Sequence, residues 1–259
     1  CSMLIISNVN LLYTRLDRMM LGQILGTDAV PLYSIPQSIT DMVSALIASI
    51  VMVAVPRLAY YSDDHPKEYL DLLNRSYHSF MLVVFPACIG IACLSAEIIR
   101  LYSGASYDAA IPVLVVFAIR SIESSVYMVC ANQILYVKNQ EKFLVKMLLA
   151  GGVLNVVFNG AAVWAGVFSP VTAILTTFLA EIVLMVVLLR YIQKELEIPF
   201  RFFTRTNMKY LVLSLTFVPV TAGVHMLGFG NVLNAVIIVP VCVLIYFGAL
   251  LLLKDETML

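Results

Sequence analysis

Apolar residues fill this chain in eight long stretches separated by short polar connections, and none of the stretches alternates with period two. About 20 mostly apolar residues cross the hydrocarbon core of a bilayer as a helix, whereas a barrel strand would be half as long and alternating. Helical spans are therefore expected near residues 1–24, 33–58, 76–99, 110–136, 143–165, 169–190, 207–228 and 231–253. Pro36, Pro112 and Pro170 fall in or near expected first turns, where a missing N–H costs little. Pro86, Pro219 and Pro240 fall mid-span and are expected to kink their helices. The fold class is all-α, a polytopic transmembrane helical bundle of about eight spans.

Composition narrows the class. Hydrophobic residues make up 61% of the chain and charged residues 12%, with a mean hydropathy of +0.96. An ordinary soluble domain carries about 25% charged residues, so that class is excluded. A net charge of zero argues against a nucleic-acid partner, which needs a basic face. Cys1, Cys88, Cys93, Cys130 and Cys242 lie in expected helices without metal-ligand spacing and read as small packing residues. The chain does not begin with Met and shows no cleavable signal. It is expected to be the C-terminal part of a longer protein.

The connections alternate in charge. Those at 59–75, 137–142 and 191–206 and the tail after Leu253, with their flanks, hold Arg57, Lys67, Arg75, Lys138, Lys142, Lys146, Arg190, Lys194, Arg201, Arg205, Lys209 and Lys254. Those at 25–32, 100–109, 166–168 and 229–230 hold only Arg100. Lysine and arginine gather on the cytoplasmic side, so both ends of this chain are expected there. Within the first basic connection, Ser62, Asp63 or Asp64 can cap a surface helix with Pro66 in its first turn. His65 reads as a solvated loop residue.

Against this background, Arg15, Asp17, Arg18, Asp41, Arg120, Glu123 and Glu181 lie inside expected spans. A charge at membrane depth costs about 2.5–3.5 kcal/mol on insertion scales, so such groups pair, face a cavity and mark a pathway. Ser7, Asn10, Thr14 and Asp17 share one helical face, with Asn8, Leu11, Arg15 and Arg18 beside it. Gln37, Asp41 and Ser44 share another. Arg120, Glu123, Ser124 and Tyr127 form the most polar face, near Ser121, Ser125, Asn132 and Gln133. Arg120 and Glu123, three residues apart, are expected to pair. Asn155 and Asn159 sit one turn apart behind Gly151 and Gly152, as do Thr177 and Glu181. The asparagines and serines read first as interhelical glue, and Gly22 with Gly26 as a close-packing pair. The last two spans offer only Thr221, His225, Asn231 and Asn234 and look peripheral.

No phosphate loop, HExxH or nucleophile elbow occurs, and the three histidines are scattered. The outer connections are too short to hold an external catalytic site. The chain is therefore expected not to be an enzyme, to need no cofactor or metal, and to draw on a gradient rather than on its own ATP hydrolysis.

Four segments carry a family likeness: LDRMMLGQILGTDAVPLYS (Leu16 to Ser34), VAVPRLAYYSDD (Val53 to Asp64), FPACIGIACLSAEIIRLYSGASYDAA (Phe85 to Ala110) and NQILYVKNQEKF (Asn132 to Phe143). In this order they resemble the C-terminal half of oligosaccharide flippases, polysaccharide-biosynthesis transporters of the multidrug/oligosaccharidyl-lipid/polysaccharide exporter superfamily. The likeness runs over most of residues 10–190. Val30-Pro31 departs from the usual Val-Gly pair, and residues 207–259 match in hydropathy alone.

The resemblance implies two six-helix lobes around a cavity that opens alternately to each side. Residues 1–192 would be the second lobe, and 193–259 a basic linker with an added two-helix hairpin. A first lobe would precede Cys1. The implied partner is a lipid-linked oligosaccharide of the undecaprenyl-diphosphate type, in the cell membrane. Arginine forks bind phosphate bidentately and stay charged, so Arg15, Arg18 and Arg120 would contact the diphosphate or sugar together with Asp17 and Glu123. Asp41 and Glu181 would balance them or bind a coupling ion. A cation-coupled multidrug extruder of the same superfamily and a non-transporting scaffold remain as alternatives.

The charge asymmetry makes a direct prediction. Single cysteines placed at Ser106 and Ser62 of a cysteine-free variant should label from opposite faces of the membrane. Equal labelling from outside would reverse the orientation.

Overall fold

The computed structural model describes residues 15–255, so Ser7, Asn8, Asn10, Leu11 and Thr14 of the first expected stripe lie outside the described residues. Those described are helical apart from short connections, and seven segments are long and apolar enough to cross a membrane. Helix α1 is described over residues 15–24, the end of the first expected span. It stops at Gly26, whose φ of 93° favours glycine. The expected packing pair thus divides. Gly26 makes the turn, while a Cβ on Gly22 would come within 3.3 Å of the Val30 side chain.

Helix α2 (Ala29–Tyr61) has 33 residues and is about 50 Å long, well beyond the ~30 Å hydrocarbon core. It starts earlier than hydropathy indicated, so Pro36 stands inside it with Pro56 rather than in a first turn. Helix α3 (Pro66–Cys93) follows after four residues, absorbing most of the connection expected at 59–75. Pro66 takes the first helical position as expected, but His65 is the N-cap and makes no side-chain cap. The Ser62 hydroxyl instead donates to Asp63, and its carbonyl accepts from Lys138. Ser62 is buried and the Asp63 side chain exposed, so Asp63 is the better inner position for labelling.

Helix α4 (Ser95–Tyr102) turns off at Leu94. A 3₁₀ turn (Ala105–Ala110) leads into α5 (Ile111–Val129), which has Pro112 in its first turn and ends in a π-helical turn, Cys130–Leu135. The Arg100–Asp108 ion pair, 2.8 Å, closes the connection before α5. The π turn swings Gln133 inward, where its amide donates to Val51 O of α2 and Ser76 Oγ of α3, 2.9 Å each.

Helices α6 (Glu141–Trp164) and α7 (Pro170–Lys194) form an antiparallel pair. A Ser169–Thr172 capping box starts α7. Helices α8 (Arg205–Leu215), α9 (Phe217–His225) and α10 (Asn231–Leu252) complete the chain. The break at Thr216 has a plain cause: Pro219 has no N–H for the Leu215 carbonyl. Pro86 and Pro240, by contrast, stand within the single helices α3 and α10.

Two apolar clusters organise the bundle. The larger joins α2, α3, the π turn, α7 and α8–α10 around Tyr77, Phe80, Phe200, Tyr210 and Tyr246. The smaller joins α1, α2, α5, α6 and α7 around Leu21, Tyr33, Phe117 and Ile174. The last three helices, which offered few polar residues to sequence reasoning, are nonetheless held by polar joints. Tyr246 OH donates to Leu82 O at 2.8 Å. Asp255 accepts from Tyr210 OH at 2.9 Å and pairs with Lys209. At the far end of α9, His225 Nε2 lies 2.6 Å from the buried Glu97 of α4, with Asn234 of α10 at 3.4 Å.

Glu97 was not singled out by sequence pattern, and its burial makes it a test of this joint. Glu97→Ala and His225→Ala should each lower thermal stability in detergent, by about 1–3 kcal/mol. The double variant should lose less than the sum, because the two side chains share one contact. Simple additivity would mean that the joint does not form.

Candidate functional site

The smaller apolar cluster covers one end of a polar centre. One turn from Leu21 on α1 is Asp17, and one turn from Ala173 on α7 is Thr177. Asp17 is only 2% exposed and faces the bundle interior. Its Oδ2 accepts from Tyr33 OH at 2.5 Å and Thr177 Oγ1 at 2.7 Å. Its Oδ1 accepts from Asn159 Nδ2 at 2.7 Å and Asn155 Nδ2 at 3.2 Å. These four donors come from α2, α6 and α7, are all neutral, and are themselves buried. A carboxylate has about four acceptor positions, and the protein fills them. Asn159 Oδ1 in turn accepts from Thr176 Oγ1, which fixes its amide.

Beside this centre lies an ionic one. Arg120 of α5 directs its fork at Glu181 of α7, with Nε–Oε2 at 2.6 Å and Nη2–Oε1 at 2.5 Å. The two side chains are 17% and 15% exposed. The expected partner, Glu123, is one turn along α5. It shares the electrostatic field of Arg120 and Glu181, but the carboxylate that takes the fork comes from the neighbouring helix. Two parallel N–H···O bonds need a carboxylate facing the guanidinium edge, and a helix packed alongside supplies that approach. Arg18 gives its Nε to Gln37 Oε1 at 2.9 Å. Asp41, exposed on α2, lies within electrostatic reach of both Arg18 and Arg120. Arg15 is exposed at the edge of the described residues.

Three helices serve both centres. Asp17 and Arg18 are consecutive on α1, Tyr33 and Gln37 are one turn apart on α2, and Thr177 and Glu181 are one turn apart on α7. Six of the seven residues chosen from sequence thus lie in these centres or within electrostatic reach of them, and Arg15 is exposed at the edge of the described residues. Tyr33 was missed, although its place one turn before Gln37 could have indicated it. Asn155 and Asn159 do bond between helices, as their reading as glue implies, and their shared acceptor is Asp17, which Thr177 also reaches.

The π turn beyond α5 carries Gln133, whose bonds are described above. Ser121 and Ser125 turn their hydroxyls back on the carbonyls of Phe117 and Ser121 and take no part in the centre. Among the described residues, no group of three or more His, Cys, Asp or Glu stands where a metal ion could be held. A cavity of about 270 Å³ between α3, α9 and α10 is lined almost wholly by apolar residues, including Pro86, Phe217 and Ile238. It is separate from the charged centres.

Fold and site together define a polytopic helical membrane protein with ionisable groups held inside its bundle. The family follows from similarity. Residues 1–112 match the family described as polysaccharide biosynthesis protein. Over 239 residues, 92% of this chain, it is 23% identical to a protein of Haloferax volcanii named as a probable low-salt glycan biosynthesis flippase, Agl15. The match covers 48% of that relative, so the chain spans about half the relative's length. The two similarities support a polysaccharide-biosynthesis family of the flippase type.

The Asp17 shell predicts a stability effect. Asp17→Ala leaves the buried Tyr33 OH without its acceptor, a cost of about 1–3 kcal/mol, and leaves Asn155, Asn159 and Thr177 with one acceptor each in place of two. The variant should melt well below the wild type in detergent. Asp17→Asn, which keeps the shape but loses half the acceptor capacity, should fall between them. An unchanged melting temperature for Asp17→Ala would show that the shell is not formed.

Proposed function

We propose that this chain forms one lobe of a flippase that moves a lipid-linked oligosaccharide across the cell membrane for surface glycan synthesis, by alternating access. The observation that carries the reading is the Arg120 fork inside a membrane bundle whose family is that of polysaccharide biosynthesis. In this reading Arg120, with Arg18 and Arg15, meets the diphosphate or sugar of an undecaprenyl-diphosphate type carrier. Glu181, Glu123 and Asp41 balance the arginines. Asp17 organises α1, α2, α6 and α7 around them or takes a coupling cation. Residues 1–192 act as the second lobe, α8–α10 as an added element, and a first lobe belongs to the same longer protein.

The rival transport reading, extrusion of cationic drugs, is favoured by one feature. Around the two centres, Arg18 and Arg120 face Asp17, Asp41, Glu123 and Glu181, an excess of acid. Arginine at the centre of the cluster favours the anionic substrate, because a cationic drug would meet its charge directly.

The pairing geometry sets the test. In the full-length protein, Arg120→Met with Glu181→Leu removes both ions at once. This avoids the roughly 3–5 kcal/mol of breaking one buried pair and stranding its partner. If the pair only braces α5 against α7, the double variant should insert and export glycan normally. If Arg120 grips a diphosphate, the double variant should insert yet fail to export, and Arg120→Lys should retain only part of the activity, since a point charge replaces a fork. Normal export by the double variant would overturn the role of Arg120, and drug resistance that follows the carboxylates alone would overturn the flippase reading.

A further inference from the structure

The Arg120 fork is occupied. Both of its contacts to Glu181 are short, and both partners are mostly buried. A phosphate that is to be bound bidentately by Arg120 must first take the place of a carboxylate already bound in the same manner. We propose that Glu181 is a displaceable internal anion, a substrate stand-in that closes the Arg120 site when it is empty and sets the charge a headgroup must carry to open it. This rests on the flippase reading and adds a specificity-determining residue to it.

The surroundings make displacement selective. Glu181 released from Arg120 stays mostly buried, near a second carboxyl group, that of Glu123 on α5. A headgroup with a single negative charge merely exchanges one anion for another at Arg120 and leaves the released Glu181 without a cation. A diphosphate brings a second charge. Arg18 lies on α1, hydrogen-bonded to the neutral Gln37, and both arginines are within electrostatic reach of Asp41. The second phosphate can be met by Arg18. Thus Glu181 penalises every anion, and only a doubly charged headgroup spanning two arginines recovers the loss. Thr177, one turn from Glu181, also touches Asp17, so a shift of α7 that follows release of Glu181 reaches the Asp17 shell through the same helix.

The experiment measures equilibrium binding to the full-length protein in nanodiscs, using farnesyl diphosphate and the singly charged farnesyl methyl phosphodiester. The wild type should prefer the diphosphate by about tenfold or more. Glu181→Gln should tighten the phosphodiester by about tenfold and shrink the preference below about threefold. Glu181→Asp, whose carboxylate is drawn back by one methylene, should lie between, and it carries the test if the glutamine variant does not fold. Unchanged affinities for both probes in folded Glu181 variants, with both lost in Arg120→Met, overturn the role of Glu181 and leave the flippase reading standing. Undiminished binding of both probes by Arg120→Met overturns that reading and the inference together.

Discussion

A carboxylate buried at membrane depth must find its solvation inside the protein, and Asp17 finds it in four side chains from three other helices. Tyr33, Asn155, Asn159 and Thr177 replace the water that the bilayer denies. In a bundle whose helices meet largely through apolar faces, lipid competes on nearly equal terms for those faces. Polar contacts with fixed direction are what specify one arrangement among many similar ones. The Asp17 shell sets the rotation of α1, α2, α6 and α7 together, because each donor must point at the same two oxygens.

The ionic centre depends on that arrangement. Once Thr177 is placed against Asp17, Glu181 one turn further along α7 is carried to the edge of the Arg120 guanidinium. Once Tyr33 is placed, Gln37 comes to Arg18. The two centres are thus geometrically dependent, and a change at either is passed along rigid helical turns rather than through a chain of loose contacts. This is a physical route by which a displacement at one centre is carried to the other.

Much of this was legible in the chain. The long apolar runs gave the seven described spans to within a few residues at most ends, because a helix in lipid must satisfy its backbone internally and has few other options. The boundaries that moved have local causes. The start of α2 moved from residue 33 to Ala29 since the turn is made at Gly26, and α3 gained most of a polar connection because a helix continues into water when Pro66 starts it. The charged residues themselves were conspicuous, since ionisable groups are rare inside spans.

The sequence by itself determined that charges stand inside a membrane bundle and which helical faces carry them, since periodicity along one helix depends only on spacing. It could not determine which helices those faces meet. Arg120 and Glu123 are neighbours by spacing, yet the bidentate partner is Glu181, 61 residues away. Asn155 and Asn159 read as interhelical glue, but only the packing shows that the acceptor they share is Asp17, 138 and 142 residues away. Tertiary packing decided these pairs, because a hydrogen bond between helices is fixed by their mutual rotation, and that rotation belongs to no single segment of the chain.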